Sequence, residues 1–399
     1  MSDRLLLSFN CGSSTIKTGL YAIEDGKPRA LADGAIDFRK SPFRFKMSDG
    51  KAAFDVPLSA KSPDDLTSIA RQSFDALGKH FDLGKLQAVG HRVVHGGDRF
   101  KHPCLLDDEA IEAIANLAVL APLHQGQALA LIRAVRKLRP ALPQTACFDT
   151  TFHQCQSDLV RRFALPRAMF DRGIKRYGFH GLSYQFIACE LARRDLSLAK
   201  GKVIVLHLGS GASLCAMQDG KSVDTSMGFS ALDGVPMATR CGALDPGVVL
   251  HLQGPENMSA KEIEDLLYHR SGLLGISGIS ADTRDLIASN APEAKQALDI
   301  FAFRTAGEIA RLAATLEGLD AIVFTAGIGE HQPEIREAIC ARLGWLGIAL
   351  DATANRQNNS TISSAGSRIK VLVIPTDEQQ VIAEETLAVL AQNPAAHPC

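Results

Sequence analysis

The sequence lacks an excess of charge of either sign. Its 43 Lys and Arg residues are balanced by 44 Asp and Glu residues, so the formal net charge of the 399-residue chain is −1. Non-specific binding of nucleic acid or of an anionic membrane requires a broad basic surface, and this balance excludes one. We therefore expect no nucleic-acid or membrane partner, and any site for an anion must be local.

The sequence also lacks closely spaced cysteines and long apolar runs. None of its nine cysteines stands in a C-x-x-C pair, and the closest two are Cys147 and Cys155. This distribution is typical of free thiols in a reducing compartment and argues against a disulfide framework or a zinc site. No run approaches the ~18 apolar residues of a transmembrane helix, and the apolar run before Asn10 is too short for a signal peptide. These absences predict a cytoplasmic protein.

What is present is the composition of an ordinary globular protein, with 46% apolar and 22% charged residues. A chain of this length is expected to form roughly two to three domains. Apolar, β-rich runs alternate with helical patterns, which predicts an α/β fold. Strands are predicted at residues 4–9, 16–23, 145–148, 202–208, 213–218, 320–325 and 369–374. Helices are predicted to begin at Ser62-Pro63, at Asp107 and at Pro333, and the longest covers residues 293–317.

Two segments of the chain resemble each other. In the first, residues 5–9 lead into a polar turn, a second strand and the dipeptide Asp25-Gly26. In the second, residues 203–206 lead into a polar turn, a second strand and Asp219-Gly220. Each pattern predicts a pair of antiparallel strands followed by a tight turn. Such patterns also arise without duplication, but two copies favour two domains of similar topology with a boundary near residue 150.

Three Gly- or Ser-rich segments that follow strands are candidates for phosphate binding. They are residues 10–14, residues 209–213 and Gly327-Ile328-Gly329. Clustered backbone N–H groups in such turns can surround phosphate oxygens, although one such turn alone is weak evidence. The third segment is the strongest candidate, because a strand precedes it and the helix predicted at Pro333 follows it. Neither a P-loop nor a G-x-G-x-x-G motif is complete in this sequence.

Histidines and arginines flanked by glycine follow several predicted strands. The segments are HRVVHGG at 91–97, DTTFH at 149–153, RYGFHG at 176–181 and TRCG at 239–242. Ligand sites of α/β proteins form beyond the carboxyl ends of strands, so these are candidate site residues. Taken singly, each arginine could equally form a surface salt bridge and each histidine could be a satisfied turn residue. A zinc helix at His91 and His95 is disfavoured by the valines and glycines around them.

Long segments of the sequence resemble, in order, the signatures of the acetate kinase family. They span nearly the whole chain: LSFNCGSSTIK, GHRVVHGG, APLH, FDTTFHQ, RYGFHGLSY, VLHLGSGASL, GKSVDTSMGF, TRCGALDP, SGLLGISGISADTRD, FTAGIGEH and IPTDEQ. The resemblance implies an α/β fold of the actin, Hsp70 and sugar-kinase type, with two duplicated domains around a central cleft, and a homodimer. It also implies reversible in-line transfer of the ATP γ-phosphate to the carboxylate of acetate, with Mg²⁺ or Mn²⁺, to give acetyl phosphate and ADP.

The resemblance implies catalytic roles for four residues. Arg92 holds the acetate carboxylate, Arg240 lies near the carboxylate and the moving phosphoryl group, and His180 donates a hydrogen bond to that group. Asp149 is the essential carboxylate beside them. A carboxylate nucleophile carries no proton at pH 7, so we expect Asp149 to orient the arginines or the metal shell instead of acting as a general base. Fixed cations are needed because ATP and a carboxylate repel each other.

The remaining implied roles divide between the two domains. Residues 1–150 with the C-terminal helix 379–399 form the carboxylate and magnesium side, and residues 151–378 bind the nucleotide. Asn10 and Glu378 position the metal, since hard oxygen ligands suit Mg²⁺. The acyl pocket is formed by Val94, Leu123, Phe179 and the residue at 231. The nucleotide and its phosphates are contacted by Lys17, His207, Gly209, Ser210, Gly211, Asp282, Arg284, Gly327, Ile328, Gly329, Glu330 and His331. Ser13 and Thr15 face the phosphates, and His124 lies at the cleft.

The sequence departs from the family pattern at a few positions. Ser210 and His331 replace asparagines on the nucleotide side, Gln125-Gly126 replaces Asn-Pro, and Ala231 replaces a proline near the acyl pocket. Nucleotide preference and acyl chain length therefore stay open, and a propionate or butyrate kinase is the alternative within the same superfamily. A non-catalytic nucleotide-binding module is a second alternative, but such a module needs no carboxylate pocket.

Overall fold

The computed structural model describes residues 4–12, 15–50 and 52–392, without the side chains of residues 122–124. The chain divides into two compact units. Unit 1 comprises the described residues of Met1–Thr151 and Asp377–Cys399, and unit 2 comprises Phe152–Thr376. Each unit contains its own β-sheet with helices packed on it.

The strands and helices are as follows in chain order. The strands are β1 (Leu5–Cys11), β2 (Thr15–Glu24), β3 (Lys27–Asp37), β4 (Arg44–Ser48), β5 (Ala53–Pro57), β6 (Leu86–Val93), β7 (Cys104–Leu105), β8 (Gln144–Phe148), β9 (Lys202–Leu208), β10 (Ala212–Gln218), β11 (Lys221–Thr225), β12 (Ala321–Thr325) and β13 (Lys370–Val373). The helices are α1 (Leu66–Gly78), α2 (Asp108–Asn116), α3 (Pro122–Leu138), α4 (Asp158–Arg161), α5 (Arg167–Asp171), α6 (Gly181–Arg194), α7 (Leu196–Lys200), α8 (Pro246–Gln253), α9 (Ala260–His269), α10 (Gly272–Ser277), α11 (Thr283–Ala288), α12 (Pro292–Leu316), α13 (Ala326–His331), α14 (Pro333–Ala341), α15 (Ala352–Arg356) and α16 (Glu378–Gln392). Short 3₁₀ turns occupy Leu83–Lys85, Leu117–Leu120, Thr151–His153 and Gly344–Leu346.

The sheet of unit 1 has the strand order β5-β4-β3-β2-β1-β6-β8-β7. Its central strand β1 is buried along its whole length, and alternate side chains face opposite sides of the sheet. Leu7 and Phe9 join the core that α1 and α3 complete. Leu6 joins the cluster on which α16 packs through Ala383 and Leu390. Helices thus cover both faces of β1, which explains why most of its residues are apolar.

The sheet of unit 2 has the strand order β11-β10-β9-β12-β13. Val203 and Val205 of β9 pack with Cys215 and Met217 of β10 in one core cluster. Tyr184 of α6 is fully buried in the same cluster. Helix α12 packs against β9, β10 and β11. The central strands are therefore buried, as in unit 1.

The two sheets share one core topology. The shared part is β3-β2-β1-β6-β8 in unit 1 and β11-β10-β9-β12-β13 in unit 2. In unit 1, β1 pairs antiparallel with β2 and parallel with β6, and β6 pairs parallel with β8. In unit 2, β9 pairs antiparallel with β10 and parallel with β12, and β12 pairs parallel with β13. The tight turns also match, with φ of 51° and 72° at Asp25-Gly26 and of 53° and 67° at Asp219-Gly220. Positive φ at both central residues is the geometry of a type I′ turn. The predicted α/β fold with two duplicated domains is confirmed.

Two predictions about local structure are wrong. Helix α1 begins at Leu66 and not at Ser62-Pro63, because the side chain of Asp65 accepts the N-cap hydrogen bond from Ser68 N at 3.1 Å. The glycines at 327–329 do not form a turn before a helix but lie inside α13, which starts directly after β12. The helix starts at Asp107 and Pro333 are confirmed.

Within the described ranges, no helix has both the length and the apolar character needed to cross a membrane.

Candidate functional site

Three polar side chains of unit 1 meet where neighbouring parallel strands end. Asn10 lies in β1, Arg92 lies in β6, and Asp149 directly follows β8. The register places β6 between the other two strands, so the three residues share the carboxyl edge of the sheet. This edge is where α/β proteins build their ligand sites.

Arg92 and Asp149 form a two-point ion pair. Arg92 Nε donates to Asp149 Oδ1 at 2.9 Å, and Nη2 donates to Oδ2 at 2.5 Å. The side chain of Asp149 is fully buried and that of Arg92 is 12% exposed. Burial alone disfavours the charge of Arg92, but the charges of Asp149 and Glu378 outweigh it and raise the pKa of Arg92. Arg92 is therefore a fixed, permanently charged group at this edge.

Asn10 connects this pair to Glu378. Arg92 Nη1 donates to Asn10 Oδ1 at 3.1 Å, and Asn10 Nδ2 donates to Glu378 Oε2 at 2.5 Å. Glu378 is the first residue of α16 and is buried. Two carboxylates and one amide oxygen thus belong to a single hydrogen-bonded network within unit 1.

The donor set of this network suits a magnesium ion that arrives with a phosphate ligand. Over the described ranges, no group of three or more His, Cys, Asp or Glu side chains could hold a metal. Mg²⁺ does not need such a group, since it usually binds one or two carboxylates and completes its octahedron with waters and phosphate oxygens. Glu378 supplies such a carboxylate, and the Asn10 side chain bonded to it adds an amide oxygen.

The other predicted residues of unit 1 lie around this network. Lys17 of β2 pairs directly with Asn10 and is exposed, so both side chains lie on one face of the sheet. Val94 is buried one residue beyond β6, and Thr15 is half-buried at the start of β2. Ser13 and the side chains of Leu123 and His124 fall outside the described residues.

Gln125 lies in this region, and no role is predicted for it from the sequence. Its side chain is fully buried; Oε1 accepts from His95 N at 3.2 Å, and Nε2 donates to His95 O at 2.9 Å. Nε2 also donates to Ile114 O at 3.3 Å. These bonds hold the backbone of the loop that follows Arg92 and Val94. The departure from Asn-Pro at this position was the available signal.

A second cluster of predicted residues lies in unit 2. The rings of His180 and His207 stack with centroids 4.2 Å apart and an interplanar angle of 16°. His180 Nδ1 lies 2.7 Å from Ser213 Oγ, and His207 Nδ1 lies 2.8 Å from Ser183 Oγ. His180 has a left-handed backbone with φ of 57° immediately before α6. A left-handed backbone at a non-glycine residue is strained, which makes His180 a candidate functional residue.

The glycine loop at residues 209–211 borders these histidines and Arg240. A Cβ placed on Gly211 would lie 3.3 Å from both Arg240 Nη2 and His180 Nε2. The two donors therefore converge on the backbone of this loop. The carbonyl of Ser210 accepts from Ala238 N at 3.2 Å, which ties the loop to the segment that carries Arg240.

Arg240 is also held from the other side. Its Nη1 donates to the carbonyl oxygen of Ala231 at 3.0 Å. Gly272, with φ of 59°, packs so closely under the Arg240 backbone that an added Cβ would lie 2.7 Å from the Arg240 carbonyl oxygen. Ala231, the position predicted near the acyl pocket, is thus a neighbour of the Arg240 guanidinium.

Phe179 and His180 are supported by His153. His153 Nε2 lies 3.0 Å from Phe179 O, and its Nδ1 lies 2.8 Å from Ser222 Oγ. Burial lowers the pKa of His153 to about 4, so the imidazole is neutral near pH 7 and Nε2–H donates to the carbonyl of Phe179. The side chain of Phe179 is buried.

The glycines of α13 differ in their surroundings. Gly327 is exposed, and nothing would lie within 4 Å of a Cβ added there. Ile328 is half-buried. Gly329 is buried against Phe324, and its carbonyl accepts from the buried Arg336 Nη1 at 2.8 Å. Gly327 is therefore open to a ligand, whereas Gly329 serves packing.

Glu330 and His331 follow on the same helix. Glu330 Oε1 accepts from Thr376 N at 3.1 Å, which holds the carboxylate against the segment that follows β13. The side chain of His331 is 73% exposed. Of this pair, the structure therefore anchors only Glu330.

Asp282 and Arg284 are joined to each other at the start of α11. Arg284 Nε and Nη2 donate to the two carboxylate oxygens of Asp282 at 3.0 and 2.5 Å. Asp282 also accepts from Arg284 N at 2.9 Å as the N-cap of α11. The side chain of Arg284 is 75% exposed, so this pair alone does not define a binding site.

The chain as a whole is similar to proteins of one known family. Residues 5–384 match the profile of the acetokinase family. The chain belongs to the acetokinase family. It is 46% identical to the acetate kinase of Rhodopseudomonas palustris over 391 residues, which cover 96% of this chain and 97% of that protein. It is 42% identical to the acetate kinase of Rickettsia prowazekii over 98% of this chain and 100% of that protein.

Solved structures of acetokinases have the same fold as this chain. A propionate kinase from Francisella tularensis matches with a TM-score of 0.88 and 35% identity, covering 96% of this chain and 99% of that one. The acetate kinase of Porphyromonas gingivalis matches with a TM-score of 0.83 and 32% identity, covering 97% and 100%. The protein is therefore a kinase of the acetokinase family, an ATP-using phosphotransferase with a carboxyl group as acceptor.

Proposed function

We propose that this acetokinase transfers the γ-phosphate of ATP reversibly to the carboxylate of acetate, giving acetyl phosphate and ADP. The observation that carries the proposal is the Arg92–Asp149 pair, a buried and permanently charged guanidinium at the carboxyl edge of the unit 1 sheet. A small carboxylate needs such a group, because its charge must be neutralised before it can approach a triphosphate.

Arg92 can bind substrate without giving up its partners. A guanidinium has five N–H groups, and among the described residues three of them serve Asp149 and Asn10. Two N–H groups therefore serve the acetate carboxylate. Asp149, which keeps Arg92 in place, acts by orientation, since acetate has no proton to lose near pH 7. The family resemblance assigns the acyl pocket to Val94, Leu123, Phe179 and Ala231.

The nucleotide and the moving phosphoryl group are assigned to the cluster of unit 2. His180 Nε2 and Arg240 Nη2 converge beside Gly211, so they stabilise charge on the transferring group. The glycine loop at 209–211 and the open face of Gly327 receive the phosphates and the nucleoside, together with His207, Ser210, Ile328, Glu330, His331, Asp282, Arg284 and Lys17. In-line transfer requires that both clusters act on one phosphoryl group.

We assign the metal to Asn10 and Glu378, with Mg²⁺ or Mn²⁺ as the ion. The ion supplies charge neutralisation for the β- and γ-phosphates when it is bound. Asn10 holds the carboxylate of Glu378 in position through the Nδ2–Oε2 hydrogen bond. The same amide accepts from Arg92, so the metal side and the carboxylate side of the site are mechanically connected.

We further propose a homodimer that works in the reducing cytoplasm. Support for the compartment comes from the cysteines of the described residues, all of which are free thiols: Cys11, Cys104, Cys147, Cys155, Cys189, Cys215, Cys241 and Cys340. Support for the dimer comes only from the family resemblance, and sedimentation equilibrium tests it.

Hydroxylamine trapping tests the proposed reaction directly. Purified protein is incubated with ATP, MgCl₂ and either acetate, propionate or butyrate, and the acyl phosphate formed is trapped as a hydroxamate. We expect a signal that requires protein, ATP and carboxylate together, with acetate as a good substrate. A protein that binds ATP but forms no hydroxamate with any acid would be a nucleotide-binding module and would contradict the proposal.

A further inference from the structure

A chain of three hydrogen-bonded side chains lies behind His180. His180 Nδ1 is 2.7 Å from Ser213 Oγ, and Ser213 Oγ is 2.5 Å from the hydroxyl of Tyr184. Ser213 lies on β10 and Tyr184 on α6, and both side chains are fully buried. Nothing in the reaction proposed above assigns a role to Ser213 or Tyr184.

The direction of these bonds determines which nitrogen of His180 carries the proton. A phenol is more acidic than an alkyl hydroxyl, so the Tyr184 O–H is the better donor and Ser213 Oγ the better acceptor. The single proton of Ser213 then points at His180 Nδ1. An imidazole that accepts at Nδ1 carries its proton on Nε2 when it is neutral. Nε2 is the atom that lies beside Gly211 and Arg240.

The stacked partner His207 is held in the opposite way. Ser183 Oγ donates its only proton to Thr376 Oγ1 at 2.9 Å, so it must accept from His207 Nδ1 at 2.8 Å. A neutral His207 therefore carries its proton on Nδ1. The rings of His180 and His207 stack with centroids 4.2 Å apart, and each has a serine hydroxyl at its Nδ1. The two neutral imidazoles nevertheless carry their protons on different nitrogens. The contrast provides an internal control for the assignment of His180.

We propose that Tyr184 and Ser213 are positioning residues, which hold neutral His180 with its proton on Nε2 so that this atom donates to the phosphoryl group during transfer. The identity of the acceptor rests on the proposed function, whereas the tautomer does not. A catalytic imidazole held in the wrong tautomer loses activity even when its position is unchanged. The hydroxyls of Ser213 and Tyr184 are therefore needed for the direction of the donor as well as for packing.

The first experiment measures the tautomer itself. Long-range ¹H–¹⁵N spectra of protein labelled at histidine distinguish Nε2–H from Nδ1–H, and His180→Asn and His207→Asn assign the two signals. We expect Nε2–H at His180 and Nδ1–H at His207 in the wild type. In Tyr184→Phe and in Ser213→Ala, the His180 signal should move to a mixture of tautomers while that of His207 stays. Nδ1–H at His180 in the wild type would overturn the proposal.

The second experiment measures turnover in the same variants. Tyr184→Phe should lower kcat about ten-fold, which corresponds to about 1.4 kcal/mol in the barrier, with the KM for acetate and ATP unchanged. Tyr177→Phe is the matched control, because Tyr177 is likewise a buried tyrosine whose hydroxyl forms a hydrogen bond, in its case to the carbonyl oxygen of Gly173 at 2.9 Å. It should lose similar stability and keep both kcat and the His180 signal.

The outcomes test the hydrogen-bonded chain Tyr184–Ser213–His180, here called the relay, separately from the proposed reaction. If Tyr184→Phe and Ser213→Ala fold but change neither the His180 tautomer nor kcat, the relay is wrong even though the wild type makes acetyl phosphate. If the wild type makes no acyl phosphate but its Nε2–H tautomer is lost in both variants, the relay is supported and only the proposed reaction fails.

Discussion

At the scale of single residues, the two arginines are expected to matter equally for turnover and unequally for stability. Arg92→Ala and Arg240→Ala should each lower kcat about 10²-fold or more, by analogy with other fixed cations in phosphoryl transfer. Arg92→Ala leaves Asp149 as a buried carboxylate without its cation, which costs about 3–5 kcal/mol. Arg240 is half-buried and is held by the carbonyl of Ala231, so its loss should cost far less.

Hydroxamate turnover and urea unfolding of both variants measure these effects. Both variants should lose turnover, and only Arg92→Ala should also lose much of its free energy of unfolding. Near-normal kcat in a folded Arg240→Ala protein would remove Arg240 from the site.

Ala231 is the residue at which we expect acyl chain length to be decided. Its carbonyl accepts from Arg240, and proline at this position keeps that carbonyl while adding ring carbons. Room for one more buried CH₂ is worth about 0.8 kcal/mol, or about four-fold in kcat/KM. The wild type should therefore use propionate nearly as well as acetate, and Ala231→Pro should shift the ratio about four-fold toward acetate.

The measurement for Ala231→Pro is kcat/KM for acetate, propionate and butyrate in both proteins, with the KM for ATP as the control. An unchanged acetate-to-propionate ratio would show that residue 231 does not line the acyl pocket.

At the scale of elements, continuous apolar runs were predicted as strands, whereas several strands interrupted by polar residues were missed, including the central strand β6. The predicted strand 202–208 coincides with β9, since a central strand with both faces covered is a continuous apolar run. Strands β4 and β5 were missed as well, because each has only five residues and exposed side chains recur along both of them toward the β5 edge of the sheet. Helix α13 was missed because two glycines in six residues argue against a helix.

The open glycine of α13 leads to a prediction for nucleotide binding. Gly327→Ala should stabilise the fold by up to about 1 kcal/mol, because Gly is a poor helix former and the space around it is empty. If the nucleotide lies against this position, the new methyl group should raise the KM for ATP several-fold. Gly307→Ala is the matched control, since Gly307 is an exposed glycine of α12 with the same open surroundings.

Unfolding curves and ATP titrations of the two alanine variants test this prediction. Both variants should be stabilised, and only Gly327→Ala should weaken ATP binding. Equal KM values for the two would place the nucleotide away from α13.

At the scale of the whole molecule, the duplication could be predicted but the hydrogen-bonded networks could not. The Asp-Gly turns and the glycine segments after strands were visible as repeated local patterns. The Asn10–Glu378 contact joins residues 368 positions apart, so only the family resemblance pointed to it. The links from Ser213 to Tyr184 and from Gln125 to His95 depend on how helices pack on strands, which local sequence does not determine.

Buried neutral histidines in both units lead to a prediction for acid stability. Burial lowers the pKa of His91 and His95 in unit 1 and of His153 in unit 2 to about 4. In the unfolded chain these groups titrate near 6.5, so between pH 6.5 and 4 the unfolded state binds protons that the folded state does not. Stability should therefore be complete above pH 6.5 and fall as the pH drops through this window, by up to about 3 kcal/mol for each histidine at pH 4.

The free energy of unfolding in urea at pH 7, 6 and 5 measures this slope. His91→Gln removes one of the three buried histidines. It should reduce the slope of the free energy of unfolding against pH by up to the contribution of one bound proton. His331→Gln is the control for the change from histidine to glutamine itself, because the side chain of His331 is largely exposed. Stability that is constant from pH 7 to 5 would mean that the buried histidines gain protons without unfolding. In that case His153 would become a cation between pH 7 and 5 instead of staying a neutral donor to the carbonyl of Phe179.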